Sequence, residues 1–266
     1  MREMSLTEKK DVLLIILAEI DSFCKDNNIN YYLIGGTLIG AIRHNGFIPW
    51  DDDIDIGMMR DDYEKFMSNY SSESNRTKAI DFRNFKHYIW PAGKVIHTDT
   101  LLYENNYTKA SIGVNVDVFP WDVAPGSLDS AKKHCRKINI YRDILTLKHL
   151  TVSKKRGFAK NALVVMGKIL YVVPDKWLLS RIHNLSCQYK DQDSKYVCNF
   201  SGAWKEKEIV NKYIFSSSLL HNFEGKLYPI PSGYDEFLTC IYGDYMKLPP
   251  KEKQVTHHGS VSYWKD

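Results

Sequence analysis

Four carboxylates fall within five residues in the run Pro49-Trp50-Asp51-Asp52-Asp53-Ile54-Asp55-Ile56-Gly57. No other stretch limits so strongly what the chain can build. On an extended strand residues i and i+2 share a face. Asp53 and Asp55 are therefore expected to project together while Ile54 and Ile56 enter the core. Asp51 shares their parity. Asp52 has the opposite one and is expected at the surface or as a capping residue. Neighbouring ionised carboxylates repel, and a protein seldom keeps them together without a cation. All-oxygen donors suit a hard ion, Mg²⁺ or Mn²⁺, and such ions usually serve phosphate chemistry.

The residues before the run point the same way. Tyr31–Ile34 reads as a short strand rich in aromatic and branched side chains. Gly35-Gly36-Thr37 follows, then Leu38–His44 as a short helix with Arg43 and His44 at its basic end. Two glycines let the backbone approach an anion, and a helix N-terminus presents free N–H groups. Gly35, Gly36 and Thr37 are thus candidates to cradle a phosphate through backbone N–H groups, although an ordinary tight turn would use the same residues. Arg43 is a candidate for a bidentate phosphate contact. Trp50 can stack on a base or pack beneath the acidic loop, and packing is the preferred reading.

Local pattern extends the outline. Ser5 and Glu8 fit a capping box, and Leu13, Ile16, Leu17, Ile20 and Cys24 form one apolar stripe, so a helix is expected from there to Asp26, packed beside Tyr31–Ile34. A second helix is expected over 61–70, with Tyr63, Phe66 and Met67 inward. Strands are expected near 80–85 and 93–96. Gly113–Phe119 alternates, placing Val114, Val116 and Val118 on one face and Asn115, Asp117 and Phe119 on the other. Asp117 is either a third site carboxylate or a solvent-facing residue on an edge strand; the residues alone leave both open. Lys94 is either a cation for a bound anion or an exposed strand lysine.

The stretch Gly35–Asp55 closely resembles the signature of the LicD family, bacterial phosphotransferases that move phosphocholine and similar groups from a CDP-linked donor to cell-surface glycans; the eukaryotic fukutin-related protein belongs to the same broad group. Further matches lie at Gly93-Lys94-Val95 with Thr98 and Thr100, at Val116–Pro120, at Tyr242–Tyr245, at Leu248-Pro249-Pro250 and at His257-His258. Between 130 and 200 there is little similarity. The resemblance implies an α+β, nucleotidyltransferase-like fold of the DNA polymerase β type, a mixed sheet flanked by helices. It favours Asp117 as a site residue. It also implies Mg²⁺, with Mn²⁺ as the alternative, on Asp53, Asp55 and Asp117. Asp53, Asp55, Asp117 and Asp51 would carry the chemistry, with Asp117 or Asp51 as the base. Gly35, Gly36, Thr37, Arg43, His44, Trp50, Lys94, His257 and His258 would hold the substrates. The donor would be a CDP-alcohol, with choline the first choice, and the acceptor a glycan or lipid-linked glycan such as a lipopolysaccharide or teichoic-acid precursor. Two other functions stay open: a nucleotidyltransferase that consumes an NTP and releases pyrophosphate, and a non-catalytic glycan- or membrane-binding protein.

Composition bounds the rest. With 266 residues, 44% hydrophobic and 26% charged, the chain is one large domain or two small ones. Its expected division is 1–128 as catalytic core, 129–200 as a basic helical subdomain and 201–266 as a C-terminal segment that completes the site. Five cysteines without a Cys-x-x-Cys pair favour a reducing compartment. His183, Cys187 and Cys198 lack a fourth ligand and do not read as a zinc set. No secretory signal or membrane span is evident, so a cytoplasmic protein is expected. From Lys132 to Lys195 there are 15 Lys or Arg and 4 Asp, a balance of +11 that leaves −7 for the remainder of a chain at +4. That asymmetry suggests peripheral contact with an anionic membrane through 132–195. Phe158–Val173 is too short and too charged to span a bilayer. It lies in the interface plane or, as the preferred expectation, packs on the catalytic core. No nucleic-acid-binding motif appears, and no such partner is expected.

Overall fold

The computed structural model describes residues 1–104, 111–152, 157–255 and 260–265. His257, His258 and the Lys154–Arg156 cluster lie outside them. In chain order the strands and α-helices are β1 (Arg2–Glu3), α1 (Leu6–Asp26), β2 (Tyr32–Leu33), α2 (Gly35–His44), β3 (Asp55–Met59), α3 (Arg60–Asn69), β4 (Thr77–Ile80), β5 (Gly93–His97), β6 (Thr100–Glu104), β7 (Ser111–Ile112) and β8 (Asn115–Val123). There follow α4 (Leu128–His149), α5 (Phe158–Met166), α6 (Asp175–Ser186), β9 (Tyr196–Cys198), β10 (Ile209–Asn211), β11 (Ser218–Phe223), β12 (Lys226–Pro231), α7 (Tyr234–Tyr242) and β13 (Ser260–Trp264). This is a mixed α+β architecture.

The main sheet is organised around β8. One edge of β8 pairs in parallel with β3, in a register that sets Asp55 opposite Asp117. Its other edge pairs antiparallel with β5 along its first half and with β9 at its end. β2 extends the sheet beyond β3, β4 extends it beyond β5, and β10 beyond β9. The alternation of β8 has its expected effect: Val114, Val116 and Val118 are fully buried, while Asn115, Asp117 and Phe119 are partly open. Ile54 and Ile56 are also fully buried, so the residues between the acids anchor the run in the core.

The helices follow local rules. Ser5 Oγ accepts the Glu8 N–H at 3.2 Å and Glu8 Oε2 accepts the Ser5 N–H at 2.9 Å, a reciprocal cap at the start of α1. The predicted stripe of α1 is wholly buried; its main sheet contacts are with β8 and β5, and it also meets the expected Tyr31–Ile34 segment, where the Tyr31 hydroxyl donates to Asp21 Oδ1 at 2.8 Å. α3 buries Tyr63, Phe66 and Met67. Its first residue, Arg60, grips Asp122 at the end of β8 through two bonds of 2.7 Å, Nε to Oδ1 and Nη2 to Oδ2. Two expectations shift. β4 lies at Thr77–Ile80, because Asp81 accepts the Arg83 N–H and turns the chain. The 158–173 stretch packs only in part: Val164 is buried and Val173 packs against the core, while Phe158, Leu163, Val165, Met166, Ile169 and Val172 are exposed. No helix among the described residues is long and apolar enough to cross a membrane.

Candidate active site

The strand start fixes the acids. Thr37 Oγ1, inside the first turn of α2, accepts the Asp55 N–H at 2.9 Å. The Ile34 N–H donates to the Asp55 carbonyl at 3.2 Å, and the Asp117 N–H to the Ile54 carbonyl at 3.0 Å. Asp55 is thereby pinned between the end of β2, the start of α2 and β8. Thr37 is buried, so its hydroxyl serves the strand.

The Gly35-Gly36 pair sits directly against these carboxylates. A Cβ at Gly35 would lie 2.9 Å from Asp55 Oδ2, and Gly35 has φ +59. A Cβ at Gly36 would lie 2.7 Å from Asp51 Oδ2. The glycines are thus required on two counts, conformation at 35 and space at both positions. They also bring the positive end of α2 to Asp51 and Asp55. Burial, then the charges of Asp53, Asp117 and Asp51, push the Asp55 carboxyl well above its ordinary pKa, and Lys94 offsets only part of this. The other three carboxylates expected in the site thus all act on Asp55.

Asp52 departs from expectation. It is buried rather than at the surface, and Lys9 of α1 meets its Oδ2 at 2.6 Å. Its Oδ1 has no hydrogen-bond partner among the described residues. Lys94 is likewise no exposed strand lysine. It is buried, donates to Asn115 Oδ1 at 3.0 Å and forms an ion pair with Asp117 Oδ1. Asp52, Asp53, Asp117, Lys9 and Lys94 line a small cavity of about 60 Å³.

On its far side Asp117, with Lys94, also borders a cavity of about 380 Å³ lined by Trp90, Phe119, Arg142, Thr146, His149 and Ser201, among others. Asp117 is therefore the partition between two spaces. A larger cavity of about 810 Å³, between α1 and residues 69–74, contains no candidate site residue. Arg142 donates to Asn139 Oδ1 and to the carbonyls of Ser201 and Gly202, and it forms no ion pair among the described residues.

Two candidates fall elsewhere. Arg43 and His44 end α2, about 12 Å of helix from Gly35. The Arg43 guanidinium donates to the Tyr245 carbonyl at 2.6 Å, and its Nε meets His44 Nε2 at 2.9 Å. These two residues tie α2 to the segment after α7 rather than joining the acids. Trp50 packs against the core. The sequence offers Tyr242 only within the 234–245 stretch, as a candidate part of the acceptor pocket; burial and the charges of Asp55 and Asp51 push its phenol up, and its ring meets Trp204 edge-on at 5.3 Å. Its place in the Tyr242–Tyr245 match was the available signal. Trp90 and Arg142 gave none, because the fold brings them to Asp117 from separate segments.

A loop glycine sets the spacing between α2 and the acidic run. A Cβ at Gly40 would stand 2.4 Å from the Gly46 carbonyl, and one at Gly46 would stand 2.2 Å from Glu224 Oε1. Glu224, in the turn between β11 and β12, also accepts the Phe47 N–H at 2.9 Å, while its own N–H donates to the Asn45 carbonyl at 2.9 Å.

A hard divalent cation fits the donor set. The donors are carboxylate oxygens gathered against one another, and the buried Asp52 Oδ1 lacks a partner beside them. As the side chains stand, no three His, Cys, Asp or Glu residues among those described close around a common point, and Lys94 holds one oxygen of Asp117. His183 and Cys187 approach to 3.9 Å as helix neighbours, and Cys198 contacts Cys135 instead.

Comparison with known proteins places this site in context. The family described as "LicD/FKTN/FKRP, nucleotidyltransferase domain" matches residues 28–152. The lipopolysaccharide cholinephosphotransferase LicD of Haemophilus influenzae is 32% identical over 278 aligned positions, which cover 99% of each chain. The human ribitol 5-phosphate transferase FKRP is 30% identical over 93 residues, 35% of this chain and 17% of that protein. An uncharacterised protein of Rickettsia typhi is 45% identical over 58 residues.

Proposed function

The chain belongs to the LicD family, and from that premise we propose that it is a metal-dependent phosphotransferase with a nucleotidyltransferase-like fold. It moves a phospho-alcohol, phosphocholine first among the choices, from a CDP-alcohol to a hydroxyl of a glycan and releases CMP. The observation that carries this reading is the gathering of Asp51, Asp53, Asp55 and Asp117 at the glycine end of α2. The cholinephosphotransferase and ribitol 5-phosphate transferase among its relatives support the reaction class and a glycan acceptor.

Asp53 and Asp55 would hold the cation, with Asp117 beside them. When bound, Mg²⁺ or Mn²⁺ would neutralise charge on the diphosphate and on the departing CMP. The chain's own groups do the rest. The start of α2 offers backbone N–H groups and positive potential toward the diphosphate. Asp117 separates the acidic pocket from the cavity under Trp90 and Arg142, so an acceptor hydroxyl in that cavity would meet it. In this reading Asp117 takes the hydroxyl proton, and the acceptor oxygen forms a bond to the phosphorus next to the alcohol. The P–O bond toward the cytidine half breaks, and CMP leaves with the electron pair. Lys94 is the positioning residue that aims Asp117. Asp51, against Gly36, would orient the site from the other side.

The test is incubation with Mg²⁺ and a panel of CDP-alcohols, with and without a glycan acceptor, following CMP. Acceptor-dependent CMP release from one CDP-alcohol is the expected result. Consumption of NTPs alone, with pyrophosphate as product, would replace the reading with nucleotidyl transfer. Unchanged biological activity in an Asp53→Asn, Asp55→Asn double variant would reduce the protein to a binding role.

A further inference from the structure

We infer that α5 and the turn after it form a docking face for an anionic membrane surface. Phe158 is 91% exposed, Met166 69%, Ile169 76% and Val172 83%. At 100° per residue, Phe158, Leu163, Val165 and Met166 fall within about 160° of helical arc. Val164, on the opposite side, is buried. The outward apolar face therefore belongs to a helix already seated by its other side, and Gly167 allows that seat: a Cβ there would meet Leu147 Cγ at 2.5 Å. Exposed apolar residues occur singly on any protein, but a continuous face of them marks an interaction surface.

Charge selects the occupant. Between residues 157 and 181 the basic residues are Lys160, Lys168, Lys176 and Arg181, against one acid, Asp175. That acid is already paired with Lys148 at 2.6 Å. Lys176 and Arg181 are exposed. Exposed apolar side chains, followed along the chain by the exposed cations Lys176 and Arg181, match the two components of an anionic bilayer, acyl chains and headgroup phosphates. A second copy of the same face would instead set one positive balance against another, four Lys or Arg less one Asp on each side, or +3. The face also adjoins the site: α4, which supplies Arg142, Thr146 and His149 to the cavity beside Asp117, packs against the turn that follows α5. Docking there would hold the cavity near a membrane-anchored acceptor. The docking itself requires no donor, acceptor or catalysis, so it stands or falls separately from the reaction.

The test is flotation of the full chain with vesicles of phosphatidylcholine alone and of phosphatidylcholine mixed with phosphatidylglycerol. Binding to the mixed vesicles is expected, with little to the neutral ones. A Phe158→Asp, Val172→Asp variant and, separately, a Lys176→Glu, Arg181→Glu variant should each float roughly tenfold less. A Met166→Ser, Ile169→Ser variant supplies the same readout should the first pair melt early. No flotation of the parent, equal flotation on both vesicle types, or retention by all three variants would overturn the inference. So would a concentration-dependent dimer in ultracentrifugation that the Phe158→Asp, Val172→Asp change abolishes, since the face would then belong to a second copy.

Discussion

Around β3 and β8 each structural acid is answered at close range: Asp52 by Lys9 and Asp122 by the two-pronged grip of Arg60. Asp55, a few ångströms of chain away, is surrounded mainly by other acids. The segment from α4 to α6 does the reverse. It carries an excess of positive charge, with Lys176 and Arg181 exposed, and apolar side chains that face outward. The contrast separates two uses of charge. A buried pair fixes position, because either partner left alone in a low dielectric is strongly penalised. A gathered set of like charges stores an affinity for an ion. A diffuse excess acts at the range of a Debye length on whatever surface lies opposite.

The sharpest way to break this contrast is Asp55→Asn. It should lower CMP release by about 10⁴-fold, or about 5.5 kcal/mol, while the metal-free variant melts no lower than the parent. A melting point that falls with the activity would make Asp55 a structural acid like Asp52. Lys9→Met is the converse. It strands the buried Asp52 carboxylate and should lower stability by about 3–4 kcal/mol in urea titration, and most of that loss should return when Asp52→Leu is added. A third arm concerns Glu208, whose carboxyl burial pushes up to about 7 from 4.5. Because the folded value is raised, its contribution is complete below pH 4.5 and is lost as pH rises through 7. Glu208→Gln keeps an acceptor for the Trp204 N–H. It should match the parent near pH 4 and exceed it at pH 8 by on the order of 2–3 kcal/mol in thermal melts. The smallest effect is expected from Phe158→Asp with Val172→Asp: stability within about 0.5 kcal/mol of the parent and unchanged CMP release with a soluble acceptor. A large loss in either would return the α5 face to the core.

Legibility in the sequence followed distance along the chain. The cap of α1, its stripe, the inward face of α3, the alternation of β8 and the parity of Asp53 with Asp55 are set by neighbours a few residues apart, and pattern reasoning reaches them. Asp52 did not follow, because its partner Lys9 is 43 positions earlier, beyond the reach of strand parity. The choice between the two readings of Lys94 was closed to pattern for the same reason, since its burial depends on β5 pairing with β8. The cavity beside Asp117 draws Trp90, Arg142 and Ser201 from three separate segments, and only the folded topology joins them. The exposure of α5 was masked by a sound prior, since an apolar stripe on a helix is more often core than surface.

The turn at Glu224 has one more consequence. Its carboxylate is the wedge that keeps the loop after α2 seated, yet it comes from a hairpin that shares no strand with the main sheet. A proteolytic nick between Glu224 and Gly225 would leave every acid in place and most of the hydrophobic interior untouched. What it would release is the gauge that spaces the helix from the carboxylates, so such a nicked protein would be folded, soluble to the eye of a melting curve, and slow.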